Sequence, residues 1–458
     1  MRNMAGLLVC VLAAAAWAGI DAQRARDLYE KVTPSLVVVQ YTYDGEVGRR
    51  ELAGAGVVLS DDGLVMTTIA LFPAQIANSQ MKEFKIIIPG DEEKEIPAVF
   101  LGRDERSDLA FVKAADKAAH AWVPLPFEQT KLQVGQTVCS VGLLPKEAGY
   151  RSYYAEAFVS AILRGPVQHI LVSPDGVAGV GSPVFDEKGR AVGFVMGQQG
   201  RGVLLSETRT PLDRVNEPPR FFIPTQEFAI SLLKPPTEKE PVRVAWLGAV
   251  LTGIKKEVAE YFDLKGTNVA QVGDVVADSP AGRAGLKTGD KIVAMDGKPL
   301  ERGDDPEEVA QILLRKLRRI EPGKTVVLSV LREKDKPPLE LKVKLEPQPR
   351  QPYEADRFYA EDIGMTVREM VFADIYAKRL PPETTGVVVS FLRPSSAAQT
   401  ARLQPGDLIT SLNNQPVTSL KQYETAFQEF RKANPAEAIV VVVTREGATQ
   451  VIRIQPPQ

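Results

Sequence analysis

Histidine, cysteine and serine are the side chains through which a chain of ordinary composition does acid–base or nucleophilic chemistry, and the first two are scarce here. The 458 residues hold two histidines, His120 and His169, and two cysteines, Cys10 and Cys139. A zinc site draws its ligands from closely spaced Cys and His pairs, and these four residues stand far apart, so a dedicated Cys/His metal centre is excluded. No metal and no cofactor is expected. Any reaction that requires an imidazole has only His120 and His169 to draw on. Each is isolated in its stretch, where a histidine more often serves structure or surface than catalysis. A serine nucleophile needs an imidazole to take its proton and a carboxylate to orient that imidazole.

The rest of the composition narrows the classes. Lys and Arg total 56 against 58 Asp and Glu, a formal net charge of −2, which gives no electrostatic case for nucleic-acid or polybasic membrane binding. Apolar residues make up 44% and charged residues 25%, as in soluble globular chains. At roughly 100–200 residues per domain the length suggests about three domains. Arg2 followed by the apolar, alanine-rich stretch 4–20, with small residues Ala16, Ala18 and Ala22, reads as a signal peptide over 1–22 and implies export. A retained membrane anchor is the lesser alternative. The exported chain would keep one cysteine, Cys139, expected as a buried small hydrophobe, so its cores and not a disulfide must hold it together.

Two proline-rich joints, 234–241 and 347–352, divide the chain into 23–233, 243–346 and 353–458. The last two segments are an internal repeat. Ala284-Gly285-Leu286-Lys287-Thr288-Gly289-Asp290 reappears as Ala401-Arg402-Leu403-Gln404-Pro405-Gly406-Asp407, each after a Ser/Pro/Ala turn. Each copy continues with a short strand, a polar turn (Asp296-Gly297, Asn413-Asn414), a helix near 306–320 or 420–432, and a β-branched strand at 325–331 or 438–444. A period of about 100 residues means duplicated globular modules, since solenoid repeats are much shorter. The first segment shows short apolar runs between turn signals, among them 35–41, 56–59, 64–67, 109–113, 138–141, 157–163, 169–173 and 191–196, which predicts an all-β barrel or sandwich.

On these motifs the repeated modules resemble PDZ domains. The resemblance implies strand addition of a protein C-terminus to a sheet edge, with the carboxylate caught by a glycine-containing loop. The matching loops are Trp246-Leu247-Gly248-Ala249-Val250 and Asp362-Ile363-Gly364-Met365-Thr366, with Val250 and Met365 expected to line an apolar pocket beneath. Gly289-Asp290 and Gly406-Asp407 are expected to be turn architecture.

The first segment resembles the trypsin-like domain of the HtrA/Deg family, whose arrangement is this domain followed by PDZ domains. Gly54-Ala55-Gly56-Val57-Val58-Leu59, Leu101-Gly102-Arg103-Asp104, Ser107-Asp108-Leu109-Ala110, Phe158-Val159-Ser160-Ala161 and Phe222-Ile223-Pro224 carry the likeness. It implies a mainly β fold, a chymotrypsin/trypsin-like double β-barrel followed by two PDZ-like α+β domains. At the catalytic positions the likeness fails. Ala70 stands at the family's histidine position and Val180 at its serine position, leaving Asp108 alone as the expected turn-capping carboxylate. The resemblance places His169 before the active-site loop and His120 after the Asp108 strand, so neither is the missing base.

With this resemblance the expectation is an exported, periplasmic HtrA-like pseudoprotease that binds protein C-termini or unfolded polypeptides as a scaffold, adaptor or chaperone-like factor. The alternative is an active serine endopeptidase with a displaced triad. The resemblance also makes a homo-trimer, or a mixed oligomer with an active paralogue, an expected assembly. The proline-bearing 203–220 stretch departs from the family pattern and reads as an insertion.

Overall fold

The computed structural model describes residues 22–46, 48–90, 94–197, 220–238 and 242–456. Cys10, nearly all of the expected signal peptide and most of the 203–220 stretch lie outside the described residues. The chain divides into two compact units. One runs to Gln40 and takes in Ala53–Leu71 and Lys85–Glu346, and the other comprises Tyr41–Leu52, Phe72–Phe84 and Pro347–Gln458.

A short helix, α1 (Ala22–Val32), leads into two closed six-stranded barrels. The first is built from β1 (Leu36–Gly45), β2 (Gly48–Val58), β3 (Leu64–Thr68), β4 (Met81–Ile88), β5 (Lys94–Asp104) and β6 (Leu109–Ala114), in the order β1-β2-β3-β6-β5-β4. The second uses β7 (Thr137–Leu143), β8 (Ser152–Leu163), β9 (His169–Ser173), β10 (Pro183–Asp186), β11 (Ala191–Phe194) and β12 (Phe221–Pro224), in the order β10-β11-β12-β9-β8-β7. The β-branched runs behind these strands fill the barrels: Val37, Val38, Val57, Val65 and Phe111 in the first, Val138, Val184 and Val192 in the second, are fully buried. Helix α2 (Ala229–Leu233) closes the segment, and the buried Ser231 hydroxyl on it donates to Asp104 Oδ2 at 2.6 Å.

Each repeat is an antiparallel sheet with a helix across it. The first contains β13 (Ala245–Trp246), β14 (Ala249–Gly253), β15 (Ala270–Val275), β16 (Lys291–Met295), β17 (Lys298–Pro299), α3 (Pro306–Arg319), β18 (Thr325–Leu331), β19 (Leu339–Lys344) and β20 (Glu346–Pro347). Its sheet runs β14-β15-β16-β18-β19, while β13 pairs with β20, so the proline-rich 347–352 joint begins inside the fold. The second contains β21 (Arg357–Ala360), β22 (Met365–Glu369), β23 (Val387–Leu392), β24 (Leu408–Leu412), β25 (Gln415–Pro416), α4 (Leu420–Ala433), β26 (Ile439–Arg445) and β27 (Ala448–Ile454). Its sheet runs β21-β22-β23-β24-β26-β27, one strand longer at the β22 edge than the first repeat is at β14.

The helices begin where the sequence supplies caps. Asp305 accepts from the Glu308 N–H ahead of α3, with Pro306 as first helical residue, and Ser419 accepts from the Gln422 N–H ahead of α4. The Gly-Asp turns are architecture, as expected. Asp290 and Asp407 are almost wholly buried and cap the Lys287 and Gln404 N–H groups, and each is bound bidentately by an arginine at the end of a long strand, Arg332 just after β18 or Arg445 closing β26.

Candidate functional site

Ala70, Asp108 and Val180, the residues expected at triad positions, lie in turns and loops beside strands of the two barrels. After β3 a single 3₁₀ turn, Ile69–Leu71, carries Ala70, and the Ile69 N–H donates to the Asp108 carbonyl at 3.0 Å. The 178–182 loop lies against β2: Gly181 has φ +88°, and a Cβ on it would stand 2.5 Å from the Ala55 carbonyl oxygen. β2 and β3 are in turn adjacent, with Gly56 opposite Thr67.

The groups at this place are committed elsewhere. Val180 packs against the apolar core of the second barrel. The Ala178 N–H donates to the Ser140 hydroxyl at 2.7 Å inside the protein, and the Gly179 N–H donates to the Tyr153 hydroxyl at 2.7 Å. Asp108, with φ +54°, does not act as the expected turn cap: its side chain is 55% exposed and its Oδ2 lies 3.8 Å from Arg315 Nη1 on α3. Arg315 also lies 3.8 Å from Glu227, and its neighbours Arg318 and Arg319 bond Glu105 and Glu227 at 2.9 and 2.8 Å. Ser182 is 1% exposed, which closes its hydroxyl to a substrate, whereas Ser173 is exposed at the end of β9.

Both histidines have structural surroundings. His169 Nδ1 lies 2.9 Å from the Val167 carbonyl and its ring meets Phe221 edge-on. His120 meets Trp122 edge-on, and partial burial, with Lys94 nearby, holds it below the usual histidine value. Cys139 is fully buried on β7, and burial pushes its thiol up to about 12. Cys139 in native protein at pH 8 should therefore resist thiol reagents and react only on unfolding, which timed labelling with and without denaturant, mapped to that residue, would read. Rapid native labelling would contradict the burial.

In the first repeat the 246–250 loop is pinned from one side. The Leu247 carbonyl accepts from the Ala281 N–H and the Gly248 carbonyl from the Val276 N–H, both at 2.9 Å. Gly248 has φ +80°, and a Cβ there would stand 2.0 Å from the Ser279 Cβ. Glycine is thus required by packing on the Ser279 cap and by its left-handed conformation, not only by the approach of a ligand. Trp246 is half-buried on β13, Ala249 opens β14, and Val250 is 44% exposed, on the surface and not in a pocket beneath the loop. The outer edge of β14 is unpaired among the described residues. At its far end the Gly253 N–H donates to Glu307 Oε2 at 2.7 Å, where a Cβ on Gly253 would stand 2.6 Å from the Glu307 nitrogen, so the first turn of α3 rests on the strand.

The second repeat differs. Gly364 has φ +65° and packs on Ser396 as Gly248 does on Ser279, but Ile363 and Met365 are core residues with no exposure, so Met365 does not line an open pocket. Asp362 is paired with Arg431 of α4 at 2.6 Å, and the Gly364 N–H donates to the Glu361 carbonyl at 3.2 Å. The edge of β22 is covered by β21, with Arg357 opposite Arg368, Phe358 opposite Val367, Tyr359 opposite Thr366 and Ala360 opposite Met365. Phe358 reaches across to α4, its ring centroid 6.2 Å from Tyr423 and 5.6 Å from Phe427. The expectation of two equivalent open loops is corrected: the second is filled by its own chain. The signal lay in Arg357-Phe358-Tyr359-Ala360, a strand-forming run just before the glycine loop, with no counterpart at the same place in the first repeat.

Among known proteins, residues 54–194 match the family model of a trypsin-like peptidase domain, and 247–345 and 360–443 each match a PDZ domain. A probable periplasmic serine endoprotease, DegP-like, of Rhizobium meliloti (strain 1021) is 26% identical over 414 residues, 87% of this chain and 75% of the relative. Its namesake of Ectopseudomonas mendocina (strain ymp) is 26% identical over 445 residues, 93% of this chain and 84% of the relative. In fold the chain is similar to the HtrA-type protease AlgW with tripeptide, at TM-score 0.51 and 20% identity, covering 71% of this chain and 98% of that one.

Proposed function

Since the chain carries a trypsin-like peptidase domain followed by two PDZ domains and is homologous to the DegP/HtrA proteins, we propose that it is a non-proteolytic, polypeptide-binding member of that group, exported to the periplasm, whose first PDZ domain is the open chain-end site. The observation that carries the non-proteolytic half is the Ala178 N–H bonded to the Ser140 hydroxyl, in the loop that would have to form an oxyanion hole. It adds to a methyl group at Ala70, an apolar side chain at Val180 and an Asp108 carboxylate turned toward Arg315. The relatives' names favour the rival reading, a serine endopeptidase, and Ser182 would be its nearest nucleophile. Burial of Ser182, and the engagement of His120 with Trp122 and of His169 with the Val167 carbonyl and Phe221, weigh against it.

For binding, the support is the free β14 edge beside a loop whose Leu247 and Gly248 carbonyls are turned to the 276–281 turn, so that no acceptor there need repel a carboxylate. A peptide strand adds to such an edge by main-chain hydrogen bonds. The contact between Glu307 and Gly253 limits the usable edge to the residues nearest the loop, so short chain ends suffice. Fluorescence anisotropy with a library of short C-terminal peptides tests this. Binding is expected to fall at least tenfold when the terminal carboxylate is amidated. Equal binding of acid and amide forms, or none of either, would overturn the chain-end reading.

The relatives' names support the periplasmic location. Among the described residues no helix is long and apolar enough to cross a membrane.

A further inference from the structure

The second PDZ domain holds a strand where a ligand would lie, and that strand has a sequence. β21 runs antiparallel to β22 along the edge that a bound peptide would use, and between β22 and α4. Its last residue, Ala360, is opposite Met365, the first residue after the glycine loop, and is buried. Two residues earlier on the same face, as the period of a strand requires, Phe358 fills the space against Tyr423 and Phe427. These are the places that the last and the third-last side chains of an added chain end would take.

The strand is held by more than its ladder. Within the same compact unit, the Thr366 hydroxyl of β22 donates to Glu46 Oε1 at 2.7 Å. Glu46 is nearly buried, and its Oε2 accepts from the Tyr43 hydroxyl at 2.9 Å and the Gln80 side-chain amide at 3.0 Å. Arg357 of β21 reaches the Gln75 carbonyl and Gln80 Oε1, each at 3.4 Å, and feels the Glu46 charge. Burial and the bond to Glu46 push the Tyr43 hydroxyl up to about 12, which keeps it a neutral donor. Glu46 thus faces both partners of the β21–β22 pair.

We propose that the second PDZ domain is a self-occupied peptide site whose resident strand, Arg357–Ala360, reports the ligand it accepts: a free chain end with an aromatic side chain two residues before a small last residue. The Glu46 node keeps the resident strand in place. This rests on the chain-end-binding reading above, applied to the second domain. A site open for only a fraction of the time shows an apparent affinity reduced by that fraction, so loosening the resident strand should strengthen binding without adding a contact.

The probe is the peptide Asp-Arg-Phe-Tyr-Ala with a free carboxylate, carrying a benzophenone group at its N-terminus, with cross-links mapped by mass spectrometry. The full chain is compared with Phe358→Ala, which empties the pocket, and with Glu46→Ala, which lies outside the second PDZ domain and leaves its core intact. Both variants should bind the probe more tightly, Phe358→Ala by tenfold or more, with cross-links moving into 420–433. Replacing the probe's phenylalanine by alanine should cancel the gain. Cross-links that stay on 306–319 in all three proteins would overturn the self-occupied site and leave the first domain's reading standing. No carboxylate-dependent binding to any of the three would overturn both.

Discussion

The double variant Ala70→His, Val180→Ser is expected to remain unlabelled by a fluorophosphonate probe and to leave casein uncut, and the same result is expected of the unmodified chain. Restoring the two side chains restores neither of the groups that make them work. An imidazole at position 70 needs a carboxylate to fix its tautomer, a role whose loss costs about 10⁴ in kcat in trypsin-like triads. Here the Asp108 side chain is exposed and its carboxylate lies 3.8 Å from Arg315. A serine at position 180 needs N–H donors aimed at the developing oxyanion, and one lost donor costs about 10²–10³. The Ala178 N–H instead meets Ser140 in the interior. The two losses do not multiply simply, yet together they should leave turnover orders of magnitude below that of an intact triad. Adding Ser140→Ala and Arg315→Ala to the double variant should bring measurable labelling, because these changes free the donor and the carboxylate. Labelling of a serine in the unmodified chain, abolished by mutating that serine, would sink the non-proteolytic reading.

How much of this was legible in the sequence varies with the distance over which each feature is decided. Barrel strands buried on both faces, such as β6 and β7, announce themselves as short, largely apolar runs. β2 was recognisable only in its second half, because Arg49, Arg50 and Glu51 occupy an exposed extension that reads as loop. The scarcity of histidine was visible at once, since a count of two leaves only His120 and His169 as imidazoles. That Asp108 pairs with Arg315 was not, because their side chains meet only when α3 approaches the turn. The glycine loops were found for a partly wrong reason. Their left-handed φ and their contact with Ser279 and Ser396 would demand glycine with or without a ligand. The Asp–Arg pairs of the repeats lay in plain view: Arg332-Glu333 and Arg445-Glu446 follow the two β-branched strands at equivalent places, so comparing the copies beyond the Gly-Asp turn would have exposed them.

Those pairs give the second large effect. Arg445→Met is expected to destabilise the second PDZ domain by about 2–4 kcal/mol, somewhat less than the range for breaking a fully buried pair because the arginine is partly solvated. Asp407 is 1% exposed and receives Arg445 Nε and Nη2 at 2.6 Å each, with the Gln404 N–H at 2.9 Å. Removing the guanidinium strands that carboxylate inside the turn joining the 401–406 segment to β24. Arg332→Met should cost less, since Arg332 is 28% exposed against 20% for Arg445 and its bonds to Asp290 are longer, at 2.8 Å. Adding Asp407→Asn to Arg445→Met should recover part of the loss, because an amide is cheaper to bury than an unpaired charge. Thermal or urea unfolding of the four proteins measures this, and a cost below about 0.5 kcal/mol for Arg445→Met would show the pair to be dispensable. The effect bears on binding as well. β24 joins β23 and β26 in the sheet that carries β22 beneath β21, so a weakened Asp407 turn should loosen the edge that β21 covers. Arg445→Met should then open the self-occupied groove at temperatures below its unfolding transition, and the aromatic chain-end probe would detect that opening.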